Sequence, residues 1–272
     1  MSTTFDQLTL QNDFLFKKVM QNKRICKRLI EEILQIKIHR ISFPEIEKTL
    51  DISPESKGIR LDVIVEDEQH TRYNLEMQAL NVTSKTTHES LLPVRTRYYQ
   101  AMLDTDMLQK GQDYDTLYPT YIIFICGFDL FEKEFYSYTF TKRCQEDLSL
   151  QLPDKTTIMF LNAKGTHGDV TDSTKAFLKY IDDHIVTDEF TQELHDELIH
   201  VKNDPKVRRS FMKYEMNVKD IRAKALLQGE ENGITKTIIG MLKAGATYEF
   251  VAKATNYSID KIKEIAKQQN LL

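Results

Sequence analysis

The amino-acid sequence predicts an α/β fold followed by an α-helical C-terminal extension. Two observations support this prediction: short β-rich segments lie between helical segments, and every periodic segment after residue 233 has helical spacing. The predicted strands are 61–66, 72–79, 118–128, 135–141 and 157–161. The predicted helices are 14–35, 88–110, 174–184, 188–200, 208–229, 234–243, 247–254 and 258–268.

The first predicted helix, 14–35, follows from apolar residues that recur at helical spacing. Lys and Arg residues lie between the apolar ones at positions 17, 18, 23, 24, 27 and 28. They indicate either a solvated helical face or an edge that faces phosphate groups. The next helix, 88–110, is interrupted early by Pro93 and closed by Gly111.

Segments 61–66 and 72–79 are joined by a polar turn, which predicts an antiparallel hairpin. If the turn is centred on Gln69, the register places Asp62 opposite Glu76. The same register brings together two apolar pairs and one ion pair, which supports it. These pairs are Val63–Leu75, Val65–Tyr73 and Glu66–Arg72.

Strand periodicity puts Asp62, Glu76 and Gln78 on one side of the hairpin, while the alternate, apolar positions should face the core. Opposed residues have Cβ atoms about 4.5–5.5 Å apart. Two carboxylates this close repel each other unless a cation lies between them. A hard divalent cation such as Mg²⁺ is the natural occupant. The alternative is a surface strand face with scattered polar residues.

The pattern of Asp62 followed by Glu76-Met77-Gln78 resembles the D…E-x-Q variant of the PD-(D/E)XK nuclease site. Other segments resemble the Rpn family of recombination-promoting nucleases and putative transposases, over roughly residues 1 to 230. These segments are NDFLFK at 12–17, KGIRLDV at 57–63, YNLEMQ at 73–78, RTRYY at 95–99, KGQDY at 110–114, LYP at 117–119 and FLNAKG at 160–165.

The resemblance implies a restriction-endonuclease-like mixed sheet flanked by helices, with the hairpin at its centre. It also implies a metal-dependent DNA endonuclease that acts in DNA recombination or mobile-element processing. Asp62 and Glu76 would be metal ligands, with the backbone carbonyl of Met77 as a third. Asp13 would bind a metal-linked water molecule or a second metal ion. The expected cofactor is Mg²⁺, with Mn²⁺ or Ca²⁺ as alternatives, and the catalytic set would be Asp62, Glu76 and Gln78.

Gln78 departs from the superfamily pattern, which has a lysine at this position. An amide cannot supply positive charge to the phosphate in the transition state, so either the metal does more or another cation reaches in. Lys57, Arg60 and Arg95 are the candidates for that cation. Together with Tyr99 they are also the predicted substrate-binding residues. The alternative is that at least one tyrosine of this helix packs against the sheet.

The resemblance and the patterns together divide the chain into a nuclease core (1–185), a helical connector (186–230) and a helical C-terminal module (231–272). Thr247 and Ser258 are well placed as N-caps within the module. Its two short helices and tight turn resemble a helix-turn-helix, and lysines at 253, 261, 263 and 267 are compatible with phosphate contacts. The alternative is a packing or dimerisation module.

The composition sets limits on partners and location. The chain has 272 residues and a formal net charge of -4, which excludes a small, strongly basic nucleic-acid binder but not a nuclease with a local basic cleft. The N-terminus lacks a signal sequence and the longest apolar stretch, 121–128, is too short for a membrane span. We therefore expect a cytoplasmic protein that binds DNA, without a membrane or small-molecule cofactor, and leave a homodimer open.

Two other functions compete with the nuclease. A catalytically degenerate DNA- or partner-binding protein on the same fold would be favoured by a Lys or Arg side chain between Asp62 and Glu76. A zinc hydrolase would need two histidines four residues apart on one helical face, but His195 and His200 are five apart. The chain has 3 cysteines, an odd number, and no two of them form a C-x-x-C motif. Both observations argue against a cysteine zinc site and against a disulfide framework.

Overall fold

The computed structural model describes residues 4–44, 62–81, 83, 90–108, 111 and 113–269, with the exception of the Arg222 side chain. The chain divides into two compact units, Met1–Arg208 and Arg209–Leu272. The boundaries that we predicted at residues 185 and 230 stay a prediction. Lys57 and Arg60, two of the predicted substrate-binding residues, lie outside the described residues.

The first unit is built on a six-stranded sheet with strand order β1-β2-β3-β4-β6-β5. The three central strands, β3, β4 and β6, run parallel, and the others pair antiparallel with their neighbours. The predicted mixed α/β fold class is therefore confirmed. The strands are β1 Ile41–Ser42, β2 Val63–Asp67, β3 Arg72–Gln78, β4 Thr120–Cys126, β5 Ser137–Phe140 and β6 Thr156–Asn162.

The helices precede, separate and follow these strands along the chain, and the C-terminal region is helical. They are α1 Asp13–Met20, α2 Lys23–Leu34, α3 Leu92–Met107, α4 Asp172–Asp183, α5 Glu189–Asn203, α6 Pro205–Lys243, α7 Tyr248–Thr255 and α8 Ile259–Gln268. No helix in the described part of the chain is long and apolar enough to cross a membrane.

Two predicted helix boundaries were wrong. The segment 14–35 is two helices, because the Asn22 side chain accepts hydrogen bonds from Arg24 N and Ile25 N and so starts α2 anew. The segments 208–229 and 234–243 belong to the single helix α6, which continues through Gly229 and Gly233. A glycine inside a helix costs about 1 kcal/mol relative to alanine, which a long helix tolerates.

The hairpin of β2 and β3 has the predicted register, with Val63 paired to Leu75 and Glu66 paired to Arg72. Its turn is stabilised by the Asp67 side chain, whose Oδ1 accepts hydrogen bonds from Gln69 N at 2.8 Å and from Thr71 N at 2.9 Å. Such a bond from an aspartate to the following backbone is typical of tight turns. The turn thus fixes which residues of the two strands oppose each other.

Both faces of β3 are buried. The apolar face was predicted to be buried, and Tyr73 and Leu75 are exposed by only 2% and 0%. The polar face is buried too, since Asn74 and Glu76 are exposed by 0% and 1%. Helix α3 covers this side, and its Tyr99 hydroxyl lies against Glu76. The alternative of a surface strand face is therefore wrong for β3.

The second unit has an apolar core of its own, formed by Ile238, Val251, Ile262 and Ile265. The predicted N-caps are confirmed: Thr247 accepts a hydrogen bond from Phe250 N, and Ser258 accepts one from Lys261 N. Capping by a Ser or Thr side chain is worth about 1 kcal/mol per helix. The two short helices are thus stabilised both at their starts and by a shared core.

Replacing Ile262 with alanine should destabilise the second unit by about 2–4 kcal/mol, because the side chain is fully buried and its removal leaves a cavity. Amide hydrogen exchange of the full chain should show faster exchange throughout α7 and α8. The matched control is Ile221→Ala in α6, because Ile221 is 66% exposed and leaves no cavity. Equal exchange in the two variants would contradict the prediction.

Candidate active site

Asp62 and Glu76 meet at the end of the hairpin, as the register predicts. The backbone N–H of Asp62 donates to Glu76 Oε1 at 2.9 Å. In return, the backbone N–H of Met77 donates to Asp62 Oδ2 at 3.2 Å. Each carboxylate is therefore oriented by the backbone of the opposite strand segment, which leaves Asp62 Oδ1 and Glu76 Oε2 for other partners.

Burial makes this carboxylate pair electrostatically costly. Glu76 is 1% exposed, and the Asp62 side chain is 10% exposed. Burial, and next the charge of Asp62, raise the pKa of Glu76 to about 8. Burial also raises the pKa of Asp62, although Lys17 and the Met77 backbone oppose that rise. A cation between the carboxylates would relieve the cost of ionising both.

Lys17 supplies one positive charge to the pair. Its Nζ lies 2.8 Å from Asp62 Oδ1, and its side chain remains 29% exposed. Lys17 stands on α1 one helical turn after Asp13, whose charge contributes to raising the pKa of Asp62. We did not predict Lys17 as a site residue. Its sequence signals were its place in the NDFLFK segment and in the run of basic residues on this helix, which left a phosphate-facing edge open.

Arg95 and Tyr99 of α3 approach Glu76 from the other side. Arg95 Nη2 is 3.9 Å from Glu76 Oε2 and also donates to the Tyr99 hydroxyl, while Arg95 Nη1 donates to Gln78 Oε1 at 3.3 Å. The Tyr99 hydroxyl donates to Glu76 Oε2 at 3.4 Å. Tyr99 is fully buried, so this arrangement positions Glu76 and does not present the tyrosine to a phosphate.

The donors present fit a magnesium-type cation. Two carboxylates face each other, and Asn74 adds a fully buried amide oxygen, Oδ1, for which the described structure shows no hydrogen-bond donor. The Asn74 Nδ2 group donates to Glu76 Oε1 at 3.2 Å. Among the described residues no group of three or more His, Cys, Asp or Glu side chains could hold a metal. Mg²⁺ needs only one or two carboxylates and completes its shell with water and phosphate oxygens.

Residues 10–231 match the model of the PD-(D/E)XK nuclease family transposases. The chain belongs to this family. Comparison with curated proteins gives no match, and comparison with solved structures gives none either. The family membership indicates a nuclease or transposase role and DNA binding, and the observed mixed sheet is consistent with its fold.

The matched region of this PD-(D/E)XK chain contains every site residue described above. It begins before α1 and continues into α6, so that Lys17, the hairpin and Arg95 all fall within it. Helices α7 and α8 lie beyond the match. The helix-turn-helix-like interpretation of that C-terminal module therefore stays a prediction.

Many of the basic residues that we considered as phosphate contacts form ion pairs within the first unit. Arg24 and Arg28 both contact Glu193 of α5, and Lys27 contacts Glu31 within α2. These pairs favour the alternative of a solvated helical face over an edge that faces phosphate groups. Exposed pairs of this kind contribute little stability individually, typically below about 1 kcal/mol.

Two basic residues near the end of the first unit, Lys202 and Arg208, and His195 of α5 also have partners within that unit. Lys202 Nζ donates to the backbone carbonyl of Leu8 at 2.9 Å, and Arg208 pairs with Asp6 at 2.5 Å. These contacts attach the N-terminal segment to the unit. His195 Nδ1 lies 3.2 Å from the Tyr180 hydroxyl.

Proposed function

We propose that the protein is a metal-dependent DNA endonuclease that hydrolyses phosphodiester bonds, in the manner of the Rpn nucleases, during recombination or mobile-element processing. The observation that carries the proposal is the pair of buried, mutually oriented carboxylates at the end of the hairpin. Such a pair is costly for stability and serves no packing purpose, which is typical of a functional site. Membership of a nuclease and transposase family supports DNA as the substrate in this proposal.

In this proposal Asp62 and Glu76 would hold Mg²⁺, the Met77 backbone carbonyl would be a third ligand, and Asp13 would bind a metal-linked water molecule or a second metal ion. A bound divalent cation would polarise the scissile phosphate and favour ionisation of a water molecule. Mn²⁺ and Ca²⁺ are the alternative cofactors. The chain itself contributes orientation: Met77 N–H fixes the rotation of Asp62, and the Asp62 N–H, Asn74 and Tyr99 together fix Glu76.

Arg95 has a supporting role in the same proposal. Its guanidinium stacks on the Tyr99 ring, with 5.2 Å between Cζ and the ring centroid, and lies close to Glu76 and Gln78. It therefore lowers the cost of an ionised Glu76 and holds the Gln78 amide in place. Gln78 is consequently oriented by Arg95 and available to contact a water molecule or a phosphate oxygen through its Nε2 group.

The second candidate function is a catalytically degenerate DNA- or partner-binding protein. The ion pair between Lys17 and Asp62 is the observation that favours it, because it places a lysine on one of the two carboxylates. A partly buried ion pair of this kind supplies positive charge to the carboxylates without a metal. The two candidates differ in one measurable respect, which is whether DNA is cut when Mg²⁺ is added.

Purified full-length protein should cut DNA in Mg²⁺, stop when EDTA is added in excess, and resume when Mg²⁺ is restored. The reason is that neither Lys17 nor Arg95 can activate a water molecule as a divalent cation does. A panel of single-stranded DNA, double-stranded DNA and RNA, followed on gels, gives the substrate class. DNA binding that is unaffected by EDTA, with no cleavage of any substrate, would instead establish the second candidate.

A further inference from the structure

The site lacks a lysine on β3, although hydrolysis of a phosphodiester places extra negative charge on the phosphate oxygens. Gln78 stands where the PD-(D/E)XK pattern has that lysine, and its Oε1 accepts a hydrogen bond from Arg95. Among the described residues, the cations that pair with the two site carboxylates are Arg95 and Lys17. The question is which of them can reach a bound phosphate.

Arg95 is held in place by several residues around Glu76. It contacts Gln78, Tyr99 and Glu76, and its Cζ lies 5.9 Å from the ring centroid of Phe124, a fully buried residue. Moving the guanidinium to a phosphate would break these interactions together. It would also leave the buried Glu76 without its nearest positive charge, which is a costly change.

Lys17 is held differently. Its ammonium pairs with Asp62 Oδ1, and its side chain is exposed enough to move at its end. The backbone beneath it is fixed, because Leu15, Phe16, Val19 and Met20 of α1 are all fully buried. A lysine on a rigid helix is a point charge on a flexible stem, which suits a contact that changes partner.

We propose that Lys17 replaces the missing lysine of the site. Asp62 holds its ammonium in the metal-free protein, and the ammonium turns to a non-bridging oxygen of the scissile phosphate once a divalent cation occupies Asp62. The inference rests on the proposed nuclease function and names the residue that contacts its substrate. The Lys17–Asp62 ion pair, which by itself favours a degenerate site, is in this proposal the position that Lys17 occupies before metal and DNA bind.

The chemical role of Lys17 is electrostatic. In the hydrolysis the water oxygen forms a bond to phosphorus while the bond from phosphorus to the 3′-oxygen breaks. The proton lost by the water goes to solvent, and the leaving 3′-oxygen takes a proton from solvent. Lys17 keeps all its protons throughout and donates hydrogen bonds to the phosphate oxygen that gains charge.

The test compares Lys17→Met with Lys18→Met, which removes the same charge from the neighbouring position of α1. Lys18 lies over the Phe14 ring, with Nζ 5.9 Å from its centroid. Two quantities are measured on the full chain. One is the single-turnover cleavage rate at saturating DNA and Mg²⁺, and the other is the Mg²⁺ concentration that gives half of the metal-induced rise in unfolding temperature without DNA.

Lys17→Met should cleave about 10²-fold more slowly than the parent, which is the loss expected when one hydrogen-bond donor to a charged transition state is removed. Its half-saturating Mg²⁺ concentration should be equal to or below that of the parent, because a cation that competes for Asp62 has been removed. Lys18→Met should match the parent in both measurements.

Three outcomes would overturn the inference. If the parent cleaves and Lys17→Met cleaves within about threefold of it, Lys17 does not contact the phosphate in the transition state. If the variant needs more Mg²⁺ than the parent, Lys17 supports the metal site and does not act on substrate. In both cases the proposed nuclease function stands, whereas a parent that cuts no substrate removes the nuclease function and this inference together.

Discussion

The Asp62→Asn variant is expected to lose Mg²⁺-dependent DNA cleavage, with a rate at least about 10³-fold below that of the parent. A metal that binds the phosphate supplies several kcal/mol of transition-state stabilisation, and each 1.36 kcal/mol is a factor of about ten in rate. Asparagine keeps the shape of the side chain but removes the negative charge that would attract the metal. Cleavage of labelled DNA under single-turnover conditions measures the loss.

The fold should survive this change. Asparagine can still accept the hydrogen bond from Met77 N, and the removed charge is one that burial already disfavours. The matched control is Asp115→Asn, which removes an exposed carboxylate outside the carboxylate pair and should leave cleavage unchanged. If Asp62→Asn cuts DNA as fast as the parent while Mg²⁺ is required, the metal is bound elsewhere and the site assignment is wrong.

Sequence reasoning predicted the hairpin well because its two constraints are local. Strand alternation decides which side chains share a face, and a short turn decides which residues oppose each other. Once Gln69 was taken as the centre of the turn, the pairing of Val63 with Leu75 followed, and the structure has that pairing. The contact between Asp62 and Glu76 is a direct consequence of the same register.

The contacts made by helices could not be predicted in the same way. Lys17 reaches Asp62 because α1 packs against β3, and no sequence pattern in the 12–17 segment states which strand lies beneath it. Arg95 and Tyr99 were predicted to bind substrate, with packing of a tyrosine of this helix against the sheet as the alternative. In the structure both side chains contact Glu76, because α3 lies on the polar face of β3. Strand periodicity alone had left open that this face is solvated.

For the helix boundaries, the local sequence signal was informative in one case and misleading in another. Asn22 is an evident capping residue, and weighing it against the periodicity of 14–35 would have indicated the break between α1 and α2. In α6 the local signals mislead, because Gly229 and Gly233 suggest a break that the helix does not make. Glycine lowers helix stability by only about 1 kcal/mol, so neighbouring residues decide whether the helix continues.

The Glu76→Gln variant is expected to make the metal-free protein more stable at alkaline pH while removing its cleavage activity. Burial, with the charge of Asp62 next, raises the pKa of Glu76 from 4.5 to about 8 in the folded protein. Over that pH range the folded state therefore binds more protons than the unfolded state, so the free energy of unfolding falls as pH rises from about 4.5 to about 8. Glutamine has no charge to bury and avoids this loss.

The groups around Glu76 set the size of the effect. Arg95 and the N–H groups of Asp62 and Asn74 favour the ionised form, whereas burial and the Asp62 carboxylate oppose it more strongly. Glu76→Gln should gain roughly 2–4 kcal/mol over the parent at pH 9 and little at pH 5. In a protein of this size that is a rise of about 5–10 °C in unfolding temperature.

Thermal unfolding from pH 5 to pH 9 in EDTA measures this gain, and Glu230→Gln at an exposed position of α6 is the matched control. Mg²⁺ should reverse the order of stability at pH 9, because a metal bound between two carboxylates stabilises the parent and not the variant. A parent that is as stable as Glu76→Gln at pH 9 without metal would mean that Glu76 ionises there at no cost. Ionising both carboxylates would then cost no free energy of unfolding, and the electrostatic reason for expecting a divalent cation between them would be lost.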